Sequence, residues 1–335
     1  MRVLVTGGLG VNGAWVSREL VDQGHDVIVA DNRLDLSLLG ERYAAQLRLE
    51  EVDICSQEDV ERLFAEPGID CVVHMAAAVG HEDKDPAPAR TFRINAEASV
   101  TLMEKAAAAG VKRFVFASSR AVYGGLDGDH AHPTYRPVKE TTQTRPESTY
   151  DLCKVVSEEF GKAFAAATPM EFAALRFATI FGPGKLMRHG RFGALSRLIE
   201  APYRGEPVEI AHGGDQSDDL IYAEEAARGV VAAVVAPTLA HDVYNIATGR
   251  SYTLGDMADA VRRFFPDARI SIGDGLNYLG TSTNYSGVLD ASRARRDLGF
   301  EADADLVSVV GRYYQRLREL DSLKKGGQAP PYLSA

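Results

Sequence analysis

The chain has 335 residues, of which 45% are apolar and 25% are charged, and its formal net charge is −10. This composition is typical of a folded globular protein and argues against a disordered or fibrous one. The acidic excess argues against a nucleic-acid partner, and no apolar run approaches the roughly 20 residues of a membrane-spanning helix. Cys55, Cys71 and Cys153 are too widely spaced for a disulfide framework or a zinc cluster. With no signal-peptide pattern at the start, we expect a cytoplasmic protein without a metal site.

Short β-rich runs alternate with helical patterns through the first half of the chain. In chain order we predict strands over 2–6, 26–31, 47–52, 71–76, 113–118 and 172–177, and helices over 11–23, 57–65, 87–109 and 148–166. The run 71–76 has no polar alternation, which is typical of a parallel strand covered on both faces. The order therefore predicts an α/β fold, a doubly wound parallel Rossmann sheet with right-handed crossovers.

The rhythm changes after residue 177, where Gly182-Pro183-Gly184 interrupts the chain. We predict a dinucleotide-binding domain over 1–177, with parts of 219–248 returning to it. A smaller, discontinuous α/β substrate-binding domain would cover 178–325, and the polar end, 326–335, would be a flexible tail.

A glycine-rich turn lies between the first predicted strand and helix, in the sequence Thr6-Gly7-Gly8-Leu9-Gly10-Val11-Asn12-Gly13. Glycines let the backbone approach a pyrophosphate, which then rests on the positive end of the helix. Asp31 ends the next strand, where its carboxylate can accept both ribose hydroxyls and repel a 2′-phosphate. The pattern therefore favours NAD, while Arg33, two residues further on, keeps NADP as the alternative.

A second constellation carries acid–base chemistry. Tyr150 and Lys154 are four residues apart and share one face of the predicted helix, and Ser118-Ser119 follows a buried strand, so both hydroxyls belong at the carboxyl edge of the sheet. A free phenol has a pKa near ~10, too high for a base at neutral pH. The lysine cation and an oxidised nicotinamide would both lower it.

These motifs together resemble the extended short-chain dehydrogenase/reductase family of sugar-nucleotide epimerases and dehydratases. The resemblance extends over nearly the whole chain, through the segments that begin at Asp53, His74, Asn95, Leu175, Tyr244 and Asp290. It implies that Tyr150 is the general acid and base, that Lys154 holds the nicotinamide ribose and that Ser119 bonds the reacting oxygen. It also implies that Asp53 and Ile54 flank the adenine, that the Ala76–Ala77 backbone passes along the cofactor and that Asn95 supports the site. The expected cofactor-binding residues are Gly7, Gly10, Val11, Asn12, Gly13, Asp31, Asn32, Arg33, Asp53, Ile54, Ala76, Ala77, Asn95, Tyr150, Lys154 and Phe177.

Departures from the family pattern limit which reactions of the family we expect this chain to catalyse. The 4,6-dehydratases carry an Asp-Glu pair directly after the catalytic Ser or Thr, whereas this chain has Arg120 and Ala121, so we do not expect a dehydratase. Members that bind a nucleotide diphosphate usually have an Arg directly before an Asp; here Asp218 precedes Asp219. Thr179 stands where an Asn is usual, and the segment 277–289 has no cation at all. Because a diphosphate among carboxylates is unfavourable, these positions argue against a nucleotide sugar.

A basic segment follows the Gly-Pro-Gly break and could bind a carboxylate or a single phosphate instead. The expected substrate residues are Arg120, Thr179, Lys185, Arg188, His189 and Arg191. For the basic segment a solvated loop is an equal alternative, and for Arg120 the alternative is a salt bridge at the seam between the domains.

Three functions follow from these observations. The first is an NAD-dependent oxidoreductase that acts on a secondary alcohol or ketone of a small polar substrate: a sugar, a sugar acid or a hydroxy acid. The second is a nucleotide-sugar 4-epimerase with tightly bound NAD. The third, from another class, is a non-catalytic dinucleotide-binding scaffold. By analogy with related proteins, we also expect a homodimer through the helices over 87–109 and 148–167.

Overall fold

The computed structural model describes residues 1–79, 85–188 and 190–324. The expected substrate residue His189 and the expected tail at 326–335 lie outside the described residues, and so does the side chain of Arg191. The strands are β1 (Arg2–Thr6), β2 (Asp26–Asp31), β3 (Leu47–Glu51), β4 (Cys71–His74), β5 (Arg113–Ala117), β6 (Glu171–Phe177), β7 (Thr179–Phe181), β8 (Val208–Ile210), β9 (Ser217–Asp218), β10 (Leu220–Tyr222), β11 (Val243–Ile246), β12 (Tyr252–Thr253) and β13 (Ile270–Ile272). The α-helices are α1 (Gly13–Asp22), α2 (Gly40–Ala44), α3 (Gln57–Leu63), α4 (Pro88–Phe92), α5 (Ala98–Ala108), α6 (Thr149–Ala167), α7 (Lys185–Arg188), α8 (Ala194–Tyr203), α9 (Ala223–Val235), α10 (Leu254–Arg262), α11 (Ser292–Leu298) and α12 (Leu306–Lys324).

Seven parallel strands form the central sheet, in the order β11-β6-β5-β4-β1-β2-β3. The chain moves outward from β1 to β3 and then returns to the other side of β1 with β4, so the strand order reverses between these two strands. A crevice opens at such a reversal, outside the carboxyl ends of the strands. The prediction of a doubly wound parallel α/β fold is confirmed, because the six predicted strands are all present in this sheet.

Both faces of the sheet are covered by apolar residues, as the unbroken apolar strands require. In β1, Val3 and Val5 pack into one core, which includes Trp15 of α1 and Val230 of α9. Leu4 points to the opposite face and packs into a second core with Leu102 of α5 and other residues. This alternation follows from the two-residue period of a strand.

A third apolar core lies outside the central sheet. It includes Phe181 of β7, Leu198 of α8, Met257 of α10 and Tyr313 of α12. Three two-stranded sheets accompany it, which pair β7 with β10 and β8 with β13 in parallel and β9 with β12 antiparallel. Within the described ranges, no helix is both long enough and apolar enough to cross a membrane.

The helix expected over 87–109 is not continuous. It comprises α4, a π-helical turn at Arg93–Glu97 and then α5. Such turns carry one residue more than an α-helical turn and often occur at functional sites. Apolar periodicity did not reveal the turn.

The last helix returns to the first. Arg18 of α1 donates to Glu319 of α12 over 2.6 Å, and its guanidinium carbon lies 5.0 Å from the ring centre of Trp15. Arg316 of α12 lies over the same ring at 5.6 Å. The two helices are therefore joined by an ion pair and by cation–π contacts with one tryptophan.

Candidate active site

The carboxyl ends of neighbouring strands bring the expected site residues to one edge of the sheet. Gly7 follows β1, Asp31 ends β2, Ala76 follows β4, Ser119 follows β5 and Thr179 opens β7 directly after β6. The edge includes the crevice at the reversal between β1 and β4, where open α/β sheets bind their ligands.

The glycine turn is packed too closely for any side chain at two positions. Gly7 has φ +66°, and a Cβ placed on it would lie 2.6 Å from Ala76 Cα; a Cβ on Gly13 would lie 2.0 Å from Gly7 O. Val11 is buried in the turn. Asn12 occupies the position before α1, and its Oδ1 is buried without a hydrogen-bond partner among the described residues. A close-packed glycine turn at the start of a helix fits the diphosphate of a dinucleotide.

Asp31 faces this turn. Its Oδ2 accepts a hydrogen bond from Leu9 N over 3.0 Å. Burial raises the pKa of the Asp31 carboxyl, and the backbone hydrogen bond from Leu9 opposes that shift. Asn32 and Arg33 follow on the exposed surface, and Arg33 is 75% exposed and 4.0 Å from Asp35.

The other expected cofactor-binding residues differ in how far they are exposed. Asp53 is exposed, and its Oδ1 accepts from Cys55 N over 2.9 Å. Ile54 belongs to the second core and Phe177 to the first, whereas Ala77 is only half-buried. Ala76 borders the glycine turn through the contact with Gly7 given above.

Asn95 lies in the π-helical turn and holds the chain that leaves β4. Its Oδ1 accepts from Ala78 N over 2.7 Å, and its Nδ2 donates to Ala78 O over 2.8 Å. The Asn95 carbonyl accepts from the hydroxyls of Ser99 and Ser157. Asn95 therefore holds the backbone at Ala78 through its side chain, and its own backbone carbonyl is bonded from α5 and α6.

Tyr150 and Lys154 are placed by the start of α6. Ser148 Oγ accepts from Asp151 N and the Asp151 carboxylate accepts from Ser148 N, each over 3.1 Å, which forms a capping box. This cap makes Thr149 the first helical residue. Tyr150 follows at once, and Lys154 lies one turn later on the same face.

The three expected catalytic side chains meet. The Ser119 side chain acts on the Tyr150 phenol, where it partly opposes the increase in pKa that burial causes, and Lys154 Nζ lies 5.4 Å from the centre of the Tyr150 ring. Lys154 is 3% exposed, and its Nζ donates to Ala117 O over 2.6 Å. Burial lowers the pKa of the lysine to about 8, whereas burial and the charge of Asp151 raise the pKa of the Tyr150 phenol. Without a ligand, Tyr150 is therefore protonated at neutral pH.

Three contacts near this cluster were not predicted from the sequence. Ser118 Oγ donates to Glu158 Oε1 over 2.5 Å, and Glu158 accepts two hydrogen bonds from Arg176 over 2.9 and 2.5 Å. Glu158 is four residues after Lys154, so helical spacing could have indicated it. Tyr285 donates to Asp151 Oδ2 over 3.0 Å, and no sequence signal linked these residues, which are 134 positions apart.

Arg120 is engaged with protein groups on several sides. It forms an ion pair with Asp218 and donates to Tyr285 O, and its Nη1 lies 3.1 Å from Thr179 Oγ1. Thr179 in turn donates to Asp218 over 2.7 Å. With 7% of its surface exposed, Arg120 matches the expected alternative of an internal salt bridge better than a substrate-binding cation.

The first part of the basic segment forms α7. Lys185 is 7% exposed, and burial lowers its pKa to about 8. Arg188 points back to the glycine turn, where its Nη1 donates to Leu9 O over 3.0 Å. The described part of this segment therefore contacts the expected cofactor site.

Comparisons with known proteins agree with this geometry. A family model described as "NAD dependent epimerase/dehydratase family" matches residues 3–247. The UDP-glucose 4-epimerase of Bacillus subtilis is 27% identical over 336 residues, which cover 91% of this chain and 94% of the relative. The crystal structure of UDP-glucose 4-epimerase from Thermotoga maritima with UDP-glucose matches with a TM-score of 0.81 and 27% identity, covering 95% of this chain and 99% of that one. MoeE5 in complex with UDP-glucuronic acid and NAD matches with a TM-score of 0.77 and 31% identity, at the same coverage.

The match to the family model spans most of the chain, and the similar proteins are enzymes. Both findings agree with the glycine turn, the carboxylate of Asp31 and the Tyr150–Lys154 pair at one sheet edge. This chain therefore belongs to the NAD-dependent epimerase/dehydratase family, as an enzyme of the short-chain type whose cofactor is NAD.

Proposed function

We propose that this enzyme inverts C4 of a nucleotide sugar while it keeps NAD bound, with Tyr150 as its acid and base. The observation that carries the proposal is the buried amine of Lys154, whose Nζ lies 5.4 Å from the centre of the Tyr150 ring, at the sheet edge where Ser119 follows β5. Two of the relatives named above are UDP-glucose 4-epimerases. This similarity supports the epimerase over the net oxidoreductase that the sequence analysis ranked first.

Each catalytic side chain has a defined task in this proposal. Ser119 would hold the reacting substrate oxygen next to the Tyr150 hydroxyl, which takes and returns its proton. Because burial raises the pKa of that phenol, the base forms only when positive charge lies nearby. Lys154 would supply one such charge, 5.4 Å from the ring centre, and an oxidised nicotinamide would supply the second. NAD, when bound, supplies the hydride acceptor and donor.

The cofactor would be held along the sheet edge. We assign its diphosphate to the turn from Gly7 to Gly13, with Gly10, Val11 and Asn12 between them, and its adenosine ribose to Asp31. The remaining assigned residues are Asn32, Arg33, Asp53, Ile54, Ala76, Ala77, Asn95 and Phe177. The close packing of this turn and its place at the start of α1 support the assignment.

A second candidate function follows from the charge around Arg120. A diphosphate requires cations or hydrogen-bond donors, yet Asp218 neutralises Arg120, and the segment 277–289 contains no cation. These observations favour a small polar sugar, sugar acid or hydroxy acid, which the enzyme would oxidise or reduce with NAD exchanging freely. Thr179, Lys185 and Arg191 remain proposed contacts for either substrate.

Cofactor content and product analysis separate the two functions. Purified protein would be denatured and its released nucleotide measured by chromatography, and native protein would be incubated with UDP-glucose and UDP-galactose. We expect NAD in near-equimolar amount, C4 inversion by NMR and no net absorbance of NADH. Protein that is free of NAD and produces NADH from a free sugar would refute the epimerase and support the second candidate.

We also propose a homodimer through α4 and α6. Phe92, Leu152 and Phe160 on these helices are 47%, 50% and 47% exposed, which is unusual for large apolar side chains grouped on adjacent helices. Light scattering after gel filtration should give twice the chain mass of 36.2 kDa, and Phe160→Glu should reduce it. A monomeric unmodified protein would refute this proposal.

A further inference from the structure

Arg188 of α7 connects two parts of the expected cofactor site. Its Nη1 donates to Leu9 O in the glycine turn over 3.0 Å. Its Nη2 donates to Asp35 Oδ2 over 2.5 Å and to Ser37 Oγ over 2.9 Å. One guanidinium thus binds both the turn after β1 and the loop 32–39 after β2.

Both of these elements border the groups that would hold the adenosine half of NAD. Leu9 N donates to Asp31 Oδ2 over 3.0 Å, so Leu9 is held by Asp31 through its N–H and by Arg188 through its carbonyl. The charge of Arg188 also acts on Asp31, where it opposes the increase in pKa that burial causes. Arg188 therefore stabilises the turn and the ribose-binding carboxylate together.

The loop 32–39 has a second attachment on its far side. Arg18 Nη1 donates to Leu38 O over 3.0 Å, and Gly184, directly before α7, is so close that a Cβ on it would lie 2.9 Å from Leu38 Cδ1. The loop is thus fixed between α1 and α7. The guanidinium of Arg188 contacts this loop and also reaches the glycine turn.

We propose that Arg188 is a cofactor-retention residue, which closes α7 over the adenosine end of the NAD site and slows the release of NAD. The proposal changes the role that the sequence suggested for Arg188, from binding substrate to holding the cofactor site closed. It rests on the proposed function in one respect, since an epimerase must keep its cofactor through every turnover. The contacts with Leu9, Asp35 and Ser37 are independent of the substrate.

The geometry requires arginine in particular. A planar guanidinium can donate to a carbonyl, a carboxylate and a hydroxyl at once, whereas an ammonium is a compact point charge. The Arg188 and Asp35 side chains are 20% and 31% exposed, so solvent weakens the ion pair but does not remove it. Loss of these charge-assisted hydrogen bonds should accelerate NAD release roughly tenfold.

The release rate can be measured without any substrate. Protein stripped of nucleotide would be loaded with NADH and mixed rapidly with excess NAD, and the fluorescence of bound NADH would be followed. We expect roughly tenfold faster release for Arg188→Ala and smaller increases for Arg188→Lys and Asp35→Asn. Arg204→Ala is the matched control, because Arg204 is 27% exposed and pairs with Glu200 over 2.7 Å without contacting the glycine turn.

The outcomes are distinct. Release from Arg188→Ala at the unmodified rate, in protein with an unchanged melting temperature, would overturn the proposal. So would a higher KM for the nucleotide sugar with unchanged NADH release, because Arg188 would then bind substrate. If Arg188→Ala does not fold, unchanged release from both Arg188→Lys and Asp35→Asn overturns the proposal. Failure of the epimerase proposal appears separately, as no inversion by the unmodified enzyme.

Discussion

Replacing Glu158 tests the buried polar network that includes Ser118, the residue before the proposed catalytic Ser119. The Glu158 and Arg176 side chains are 1% and 4% exposed, and Glu158 accepts hydrogen bonds from both Arg176 and Ser118. Glu158→Ala would leave the Arg176 cation buried without its partner, which costs about 3–5 kcal/mol in comparable cases. Since domains are stable by only about 5–15 kcal/mol, we expect a large loss of the free energy of unfolding.

Urea unfolding followed by circular dichroism measures this loss. Every sample should be free of NAD, because a ligand of the native state adds its own stabilisation. Glu159→Ala is the matched control: Glu159 is the next residue of α6, is 65% exposed and pairs with Lys162, so its removal should cost less than about 1 kcal/mol. Equal midpoints and slopes of the urea curves of the two variants would refute the reasoning. The buried ion pair would then stabilise the protein no more than the surface pair does.

Three further predictions concern the site itself. Tyr150→Phe should lower turnover by about 10²–10⁴-fold while NADH binding is retained. Turnover close to that of the unmodified enzyme would show that Tyr150 is not the acid and base. Lys154 has a pKa of about 8 in the folded protein and of ~10.4 in the unfolded chain. Between these values the native state binds fewer protons than the unfolded state. The free energy of unfolding should therefore rise, relative to that of Lys154→Met, from about pH 8 to pH 10. A flat difference in urea midpoints over that range would contradict this. Gly13→Ala would place a Cβ 2.0 Å from Gly7 O and should weaken NADH binding about tenfold or more. Gly255→Ala is the control, because its Cβ would lie 3.3 Å from Thr253 Oγ1. Equal NADH affinities of the two variants would argue against a rigid turn.

The sequence predicted the central sheet well because local patterns encode it. The apolar runs at β1, β4 and β5 each fill a position covered on both faces, and the glycine turn needs close packing that only glycine permits. The cap on α6 is equally local, since Ser148 and Asp151 are three residues apart. The sequence alone therefore places Tyr150 and Lys154 on one helix face.

Contacts between distant segments could not be predicted in this way. Arg120 was expected either to bind an anion or to form a salt bridge, and its partner Asp218 is 98 positions away. Arg188 was grouped with neighbouring cations, although its carboxylate partner Asp35 is 153 positions earlier in the chain. Strands of two or three residues, such as β9 and β12, pair through tertiary context that periodicity does not contain.

The contact between α1 and α12 has a consequence for biosynthesis. Arg18 and Glu319 are 301 positions apart, and β11, which pairs with β6 in the central sheet, begins only at Val243. During translation, the glycine turn and the first five strands are therefore synthesised long before α12 and β11. The outer edge of β6 stays unpaired until β11 has been synthesised. Unpaired strand edges favour aggregation, so we expect slowed translation after β6 to lower the soluble yield, whereas slowing after β11 should not.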